Sequence, residues 1–429
     1  MSLPRYAEYK KSGVTWLGEV PDHWDLRRLG FYFDERREKV SDVEFAALSV
    51  TRNGVVPQLE NVAKTDDGGN RKKVCAGDFV INGRSDRKGS SGAADMDGSC
   101  SLISIVLAPN DGMRIDFAHH LLRSVPFQEE FYRYGKGIVA DLWSTNYSEM
   151  KNISLAVPPS DEQSAIAVFL DRETGKIDAL IAEQEKLLTL LAEKRQATVS
   201  HAVTRGLNSK ARMKDSGVPW LGEVPAHWNM DRMGALYRET AELGDDELPI
   251  LSVSIHDGVS DKELDDAEMD RKVTRSDDRS KYKRVLPNDL TYNMMRAWQG
   301  GFGTVAVMGQ VSPAYVVARP RGELRTVFVE QLLRTPHAIE QVRRYSRGIT
   351  EFRLRLYWDE FKNIRIALPP LAEQDEILSV ITSMAEKFDA LSREAESAIS
   401  LLKERRSALI AAAVTGKIDV RRTEEILAA

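Results

Sequence analysis

The phrase SGVTWLGEVPDHW begins at Ser12 and SGVPWLGEVPAHW begins at Ser216, with eleven of thirteen positions identical. An internal repeat constrains a fold more tightly than any local propensity, because both copies must build the same unit. The duplication continues along the chain. At an offset of 211, Gly77-Asp78-Phe79 matches Asn288-Asp289-Leu290, and Lys151-Asn152-Ile153 matches Lys362-Asn363-Ile364. Pro158-Pro159 matches Pro369-Pro370, Glu162-Gln163 matches Glu373-Gln374, and Ala202-Val203-Thr204 matches Ala413-Val414-Thr415. The opening phrase is offset by 204, so seven additional residues enter the second copy between about 228 and 288, where HDGVSDKELDDAEMDRK reads as an acidic loop.

Each copy is a mixed segment followed by a helical one, which divides the chain into residues 1–157, 158–214, 215–368 and 369–429. The mixed segments alternate short β-like runs (FAALSV, DFVING, SLISIVLAP; LPILSVSI, DLTYNMM, AYVVARP) with Gly- and Asp-rich turns. They also contain helical stretches such as IDFAHHLLRS, so each is an α+β or α/β globule. After Pro158-Pro159, Ser160 and Gln163 have the spacing of a capping box. The pattern predicts a short helix to about Glu173, an interruption at Gly175, and a longer helix to about Thr204.

In that longer helix Ile177, Leu180, Gln184, Leu187, Leu191, Lys194 and Thr198 step by alternating threes and fours. Their counterparts are Phe388, Leu391, Ala395, Ala398, Leu402, Arg405 and Leu409. Both rows are heptad-like and require an apolar partner. The expected partner is the chain's own repeat, paired antiparallel as in an isologous contact; pairing with a second molecule is the alternative. Roughly 28 helical residues at 1.5 Å rise make a rod of about 42 Å, comparable to a DNA turn of about 34–36 Å.

Composition excludes several classes. No apolar run approaches the roughly 20 residues of a membrane span, and the first residues, MSLPRYAEYKKSG, lack a signal-peptide core, so the cytoplasm is the expected compartment. Cys75 and Cys100 lie in apolar settings and read as core thiols. The seven histidines show no metal-ligand spacing, and His23 and His227 are equivalent copies beside Trp24 and Trp228. Gly175-Lys176 and Gly416-Lys417 lack the remainder of a P-loop. The Pro-Pro pairs lack the amide and aromatic residue of a methyltransferase Asn-Pro-Pro-Tyr loop. No catalytic centre or metal site is therefore expected.

A net charge of −5 argues weakly against nucleic acid, but basic clusters stand out. They are Arg71, Lys72 and Lys73; Arg84, Arg87 and Lys88; Lys281, Lys283 and Arg284; and Arg343, Arg344, Arg347, Arg353 and Arg355. One Gly-rich loop carries Asn82, Arg84, Ser85, Asp86, Arg87, Lys88 and Ser90, and the equivalent loop carries Tyr292, Asn293, Arg296, Trp298 and Gln299. Arg, Asn and Gln can read base edges, whereas Lys and Ser more often hold phosphates. A polar surface loop with structural glycines is the plainer reading.

Taken with the two PPxxEQ helix starts and the closing AAVTGKIDVR, these phrases resemble a type I restriction-modification specificity subunit over essentially the whole chain. The resemblance implies two target recognition domains reading the halves of a bipartite DNA target, separated by an antiparallel coiled-coil pair acting as a ruler. It implies two modification subunits that use S-adenosylmethionine to methylate adenine, and restriction subunits that use ATP and Mg. The specificity subunit itself is then non-catalytic. By position, Arg84, Arg87, Lys88, Arg296, Trp298 and Gln299 are the candidate DNA-binding residues, with Arg343, Arg344 and Arg347 secondary. Ile177, Leu180, Leu187, Leu191, Phe388, Leu391, Leu402 and Leu409 are the expected helix-pairing residues. A coiled-coil scaffold that makes no DNA contact, or a self-contained DNA-modifying enzyme, would be the alternatives.

Overall fold

Two long helices follow the two Pro-Pro pairs, Ser160–Arg205 and Leu371–Val414. The computed structural model describes residues 3–59, 68–84, 87–137, 143–245, 247–255, 258–263, 280–349 and 353–421. Ser85, Asp86, His256 and most of the acidic 256–272 loop lie outside the described residues. The first helix passes through Gly175 without the expected break. A glycine there costs about 1 kcal/mol relative to alanine, and the buried positions on either side, Leu170, Thr174, Ile177 and Ile181, hold the helix against it. The expected capping box is also not made. The Gln163 Nε2–H donates instead to the Pro158 carbonyl at 2.9 Å, and Gln374 repeats this with Pro369 at 2.8 Å.

The chain divides into two compact units, Met1–Glu185 with Glu396–Ala429, and Lys186–Ala395. Each contains half of each long helix. In the first unit Arg406 binds Asp178 through two hydrogen bonds of 2.8 and 3.1 Å. In the second, the equivalent Arg195 donates to Asp389 at 2.5 Å. Within each unit, numbers rise along one helix as they fall along the other, so the halves run antiparallel and the pairing is within one chain.

The pairing stripe lies one residue away from the predicted row at several steps. Leu180, Leu187 and Leu391 are 47, 41 and 47% exposed, which removes them from the seam. Ile181, Ile399 and partly buried Leu188 and Ser392 occupy it instead. Ile177 and Leu191 are buried as expected, and Phe388, Leu402 and Leu409 are partly buried. Leucines at both 180/187 and 188/191 offer two adjacent apolar stripes, and the β-branched isoleucines take the inner one.

In the first unit a four-stranded antiparallel sheet has the order Ser91–Ala93, Phe79–Asn82, Ser104–Pro109, Phe33–Glu35. Ile105 faces Ile81, and Leu107 faces both Phe79 and Glu35. Side chains alternate between two cores, as strand geometry requires. Phe79, Ile81, Ile105 and Leu107 join Phe117, Phe127 and Phe131 on one face, while Val80 and Val106 join Leu48, Val74 and Cys100 on the other. Burial raises the Cys100 thiol to about 11, consistent with a core role.

The second unit repeats this sheet: Phe302–Thr304, Leu290–Asn293, Tyr315–Pro320, Tyr237–Thr240. Leu290, Tyr292, Val316 and Ala318 face the larger core and Val317 the smaller. The turn before the second strand needs a left-handed residue, supplied by Gly77 at φ 91° and by Asn288 at φ 71°. Asparagine tolerates that region better than most residues with a side chain.

The repeated phrase forms a socket for helix ends. In the first unit Trp24, fully buried, packs with Leu17, Val20, Ala413 and Val414, and its Nε1–H donates to Glu162 at 2.9 Å. In the second, Trp228 packs with Leu221, Val224, Ala202 and Val203 and donates to Glu373 at 3.1 Å. His23 and His227 each contact the other oxygen of the same carboxylate at 2.7 Å. The glutamates of PPxxEQ are therefore acceptors for tryptophan and histidine together.

Two substitutions separate seam from surface. Ile181→Ala should cost about 2–5 kcal/mol of unfolding free energy, whereas Leu180→Ala should cost under about 1 kcal/mol. Equal losses in denaturant titrations would contradict the assigned stripe. Glu162→Ala strands the Trp24 indole N–H in the core and should cost about 1–3 kcal/mol, read as a lower melting temperature.

Candidate nucleic-acid interface

The first candidate loop leaves the strand Phe79–Asn82 and returns at Ser91. Asn82 Oδ1 accepts from the Arg84 N–H at 3.0 Å, and Arg84 bridges to Ser144, fixing the loop's entry. Gly83 is required there, because a Cβ would lie 2.6 Å from the Thr145 carbonyl oxygen. Arg87 and Lys88 are exposed. The Lys88 ammonium sits 5.6 Å from the centre of the Tyr132 ring, a cation–π distance. Tyr132 belongs to the helix Val125–Arg133, which backs the loop.

The equivalent loop follows Leu290–Asn293 and contains the short turn Ala297–Gln299. Arg296 donates to the Gln299 side-chain oxygen at 2.8 Å, presenting the two candidates as one hydrogen-bonded pair. Trp298 is partly buried against the core, and its Nε1–H donates to the Met295 carbonyl at 3.0 Å. It therefore anchors the loop rather than standing free as a stacking surface. The helix Pro336–Tyr345 backs this loop, with Ile339 3.2 Å from where a Gly300 Cβ would lie.

The secondary candidates divide. Arg343 and Arg344 are exposed in the last turn of that helix, where cations complement the helix dipole, and Arg344 lies 3.5 Å from Glu340. Arg347 pairs with Glu360, and the equivalent Lys136 pairs with Glu149 at 2.9 Å. A pairing kept in both copies gives Arg347 a structural duty. The cluster Arg71, Lys72 and Lys73 is likewise engaged: Arg71 is buried and donates to Ser99, while Lys72 binds Glu35 and Lys73 binds Glu38.

Sequence reasoning placed a helix over IDFAHHLLRS but missed its part in the site: the helix Ile115–Arg123 carries His119, His120 and Arg123 close to Lys88. Burial and the neighbouring Arg123 hold His119 down at about 4, and burial also lowers His120 despite its 2.8 Å contact with Asp171. The available signal was the repeat, since Arg123 matches Arg334 while His119 stands opposite Glu330. Among the described residues no group of His, Cys, Asp or Glu could hold a metal, and no helix is long and apolar enough to cross a membrane.

The lowered His119 sets a pH dependence. Unfolded, the ring takes a proton near its ordinary 6.5; folded, it remains neutral down to about 4. Stability present above pH 6.5 is therefore lost as pH falls through that window. His119→Gln should flatten the decline in melting temperature between pH 6.5 and 4.5; an unchanged slope would show that His119 does not contribute.

No family model matches the sequence. Among curated proteins, the chain is 21% identical over 245 residues to a putative type I restriction enzyme MjaX specificity subunit of Methanocaldococcus jannaschii, covering 51% of this chain and 54% of that protein. It is 24% identical over 292 residues to the type I restriction enzyme EcoBI specificity subunit of Escherichia coli, covering 63% and 59%. The chain thus spans little more than half the length of these curated relatives. Its fold matches a chain from a structural study of complex assembly and conformational transition of the type I R-M system, with a TM-score of 0.60, 17% identity, and 92% and 98% coverage of the two chains. The HsdS subunit of Thermoanaerobacter tengcongensis matches with a TM-score of 0.52, 16% identity and the same coverage. In sequence and in fold, the chain is similar to the specificity subunits of type I restriction-modification systems.

Proposed function

We propose that the chain is the sequence-specific DNA-recognition subunit of a type I restriction-modification complex and reads two half-sites of a bipartite target. The observation that carries this is the combination of like mounts with unlike loops. Both units have the same sheet order and the same Trp–Glu–His socket. From equivalent strands, however, one presents Arg84, Arg87 and Lys88 and the other Arg296 and Gln299. Arg–guanine and Gln–adenine pairing gives such loops different base preferences.

In this reading the chain is non-catalytic. Two modification subunits supply adenine methylation from S-adenosylmethionine, and restriction subunits supply ATP- and Mg-dependent cleavage. The outward leucines 180, 187 and 391 and the helix starts at Ser160 and Leu371 are the proposed contacts with the modification subunits. The long helices serve as the spacer between the readers.

In the assembled complex, Arg84→Ala and Arg296→Ala should each weaken specific binding by about 1–3 kcal/mol, or roughly 5- to 150-fold. Each should also relax base preference in a different half-site. Unchanged target affinity in both would favour a scaffold that does not touch DNA. Adding one heptad to each long helix keeps the seam in phase and should lengthen the unread spacer of the target; an unchanged spacer would contradict the ruler role.

A further inference from the structure

A cavity of about 440 Å³ opens in the first unit beside the Arg84–Ser90 loop. Its walls include Arg52, Lys88, His119, Arg123, Gln128 and Arg406, drawn from a hairpin turn, the loop, two short helices and a long one. Four of the six are cations. Arg406 has its own acid, Asp178, and nearby Asp171 is taken by His120. Arg123 has no carboxylate among the described residues. Its guanidinium donates to the His119 Nε2 at 3.0 Å and to the Arg52 carbonyl oxygen. The Ala93 N–H also approaches the ring, 3.3 Å from Nδ1. A neutral imidazole accepts at only one nitrogen, and the shorter contact from the charged donor is the bond. Burial and the nearby Arg406 weaken the charged form of Arg123, so the chain holds a partly desolvated cation without neutralising it.

The second unit solves the same problem internally. Arg334, the counterpart of Arg123, binds the Glu330 carboxylate at 3.0 Å and donates to the Ile255 carbonyl oxygen. Glu330 stands where His119 stands, and its other oxygen accepts from the Thr304 N–H at 2.8 Å, the counterpart of Ala93. Gln299 replaces Lys88 and Ile339 replaces Gln128. One unit thus has an acid on its arginine and two fewer cations, with Gln299 in place of Lys88 and Ile255 in place of Arg52; the other has an open pocket of positive charge.

We propose that this cavity is an oxyanion site of the phosphate class, gripped by Arg123 with Lys88, Arg52 and Arg406 around it, and that the second unit lacks the site because Glu330 fills the anion's place. Arginine's planar fork suits two phosphate oxygens, and Lys88 adds a point charge from the loop. The anion has two possible sources: a phosphodiester of bound DNA, in which case the site rests on the function proposed above, or free phosphate, in which case it does not.

His119→Glu is the decisive variant, because it copies the ion pair already folded in the second unit; Arg123→Gln is the companion. In calorimetric titration of the full chain with inorganic phosphate at low ionic strength, the unaltered chain should bind saturably. His119→Glu should bind at least tenfold more weakly without a lower melting temperature. In the assembled complex, His119→Glu should reduce the slope of log K for target DNA against log salt by about 0.9, the value for one lost phosphate contact. A loss seen only with inorganic phosphate assigns a free anion, and a shallower slope alone assigns a DNA phosphodiester. An unchanged slope overturns the site when phosphate binding survives both variants or is absent from the unaltered chain. Failure of the unaltered complex to bind DNA refutes the proposed function instead, and the phosphate titration then decides the cavity alone.

Discussion

The structure depends on a carboxylate placed one turn into each long helix. Glu162 is buried and accepts hydrogen bonds from the Trp24 indole, the Tyr6 hydroxyl and His23. A buried carboxylate is costly unless its oxygens are satisfied, so the tryptophan phrase and the helix start stabilise each other. Gln163, the next residue, accepts from the Arg114 backbone N–H at 2.8 Å and thereby ties the helix start to the entry of Ile115–Arg123. Gln374 and Arg325 repeat the contact at 2.9 Å. Two adjacent side chains thus lock a long helix to the repeated phrase and to the globule that carries it.

The end of the other long helix enters the same socket, and close packing fixes it there. Gly416 adopts φ 70°, and a Cβ at that position would lie 2.3 Å from Pro21. Gly206 has φ 73° and lies against Trp228 and Glu373. Each globule therefore captures one helix start and one helix end. The framework residues are constrained by burial in both copies, while the loops that follow Phe79–Asn82 and Leu290–Asn293 combine a few buried anchors such as Gly83 and Ala297 with exposed residues such as Arg87 and Lys88. Such an arrangement lets the loop surface differ between units without disturbing the mount.

Much of this was legible because the chain is written twice. The tryptophan phrase, the PPxxEQ starts, the two similar globules and the paired helices all follow from matched positions. The seam was misplaced because Leu180 and Leu187 form as good a heptad row as Ile181 and Leu188, and only burial distinguishes them. Gly175 and the Ser160–Gln163 spacing misled for a related reason: local signals were overridden by tertiary packing and by a stronger use for the glutamine. The mismatch of His119 with Glu330 marked the neighbourhood of Arg123 in the sequence, but not the cavity around it. Its walls come from residues near 52, 88, 119–128 and 406, each of which alone resembles ordinary polar surface.

In the proposed function, like mounts carry unlike readers. Single-molecule methylome sequencing of a host expressing the chain with modification subunits tests it most directly. One methylated motif is expected, made of two different specific half-sites separated by a fixed number of unread bases. A contiguous motif, or a perfectly palindromic one, would contradict it.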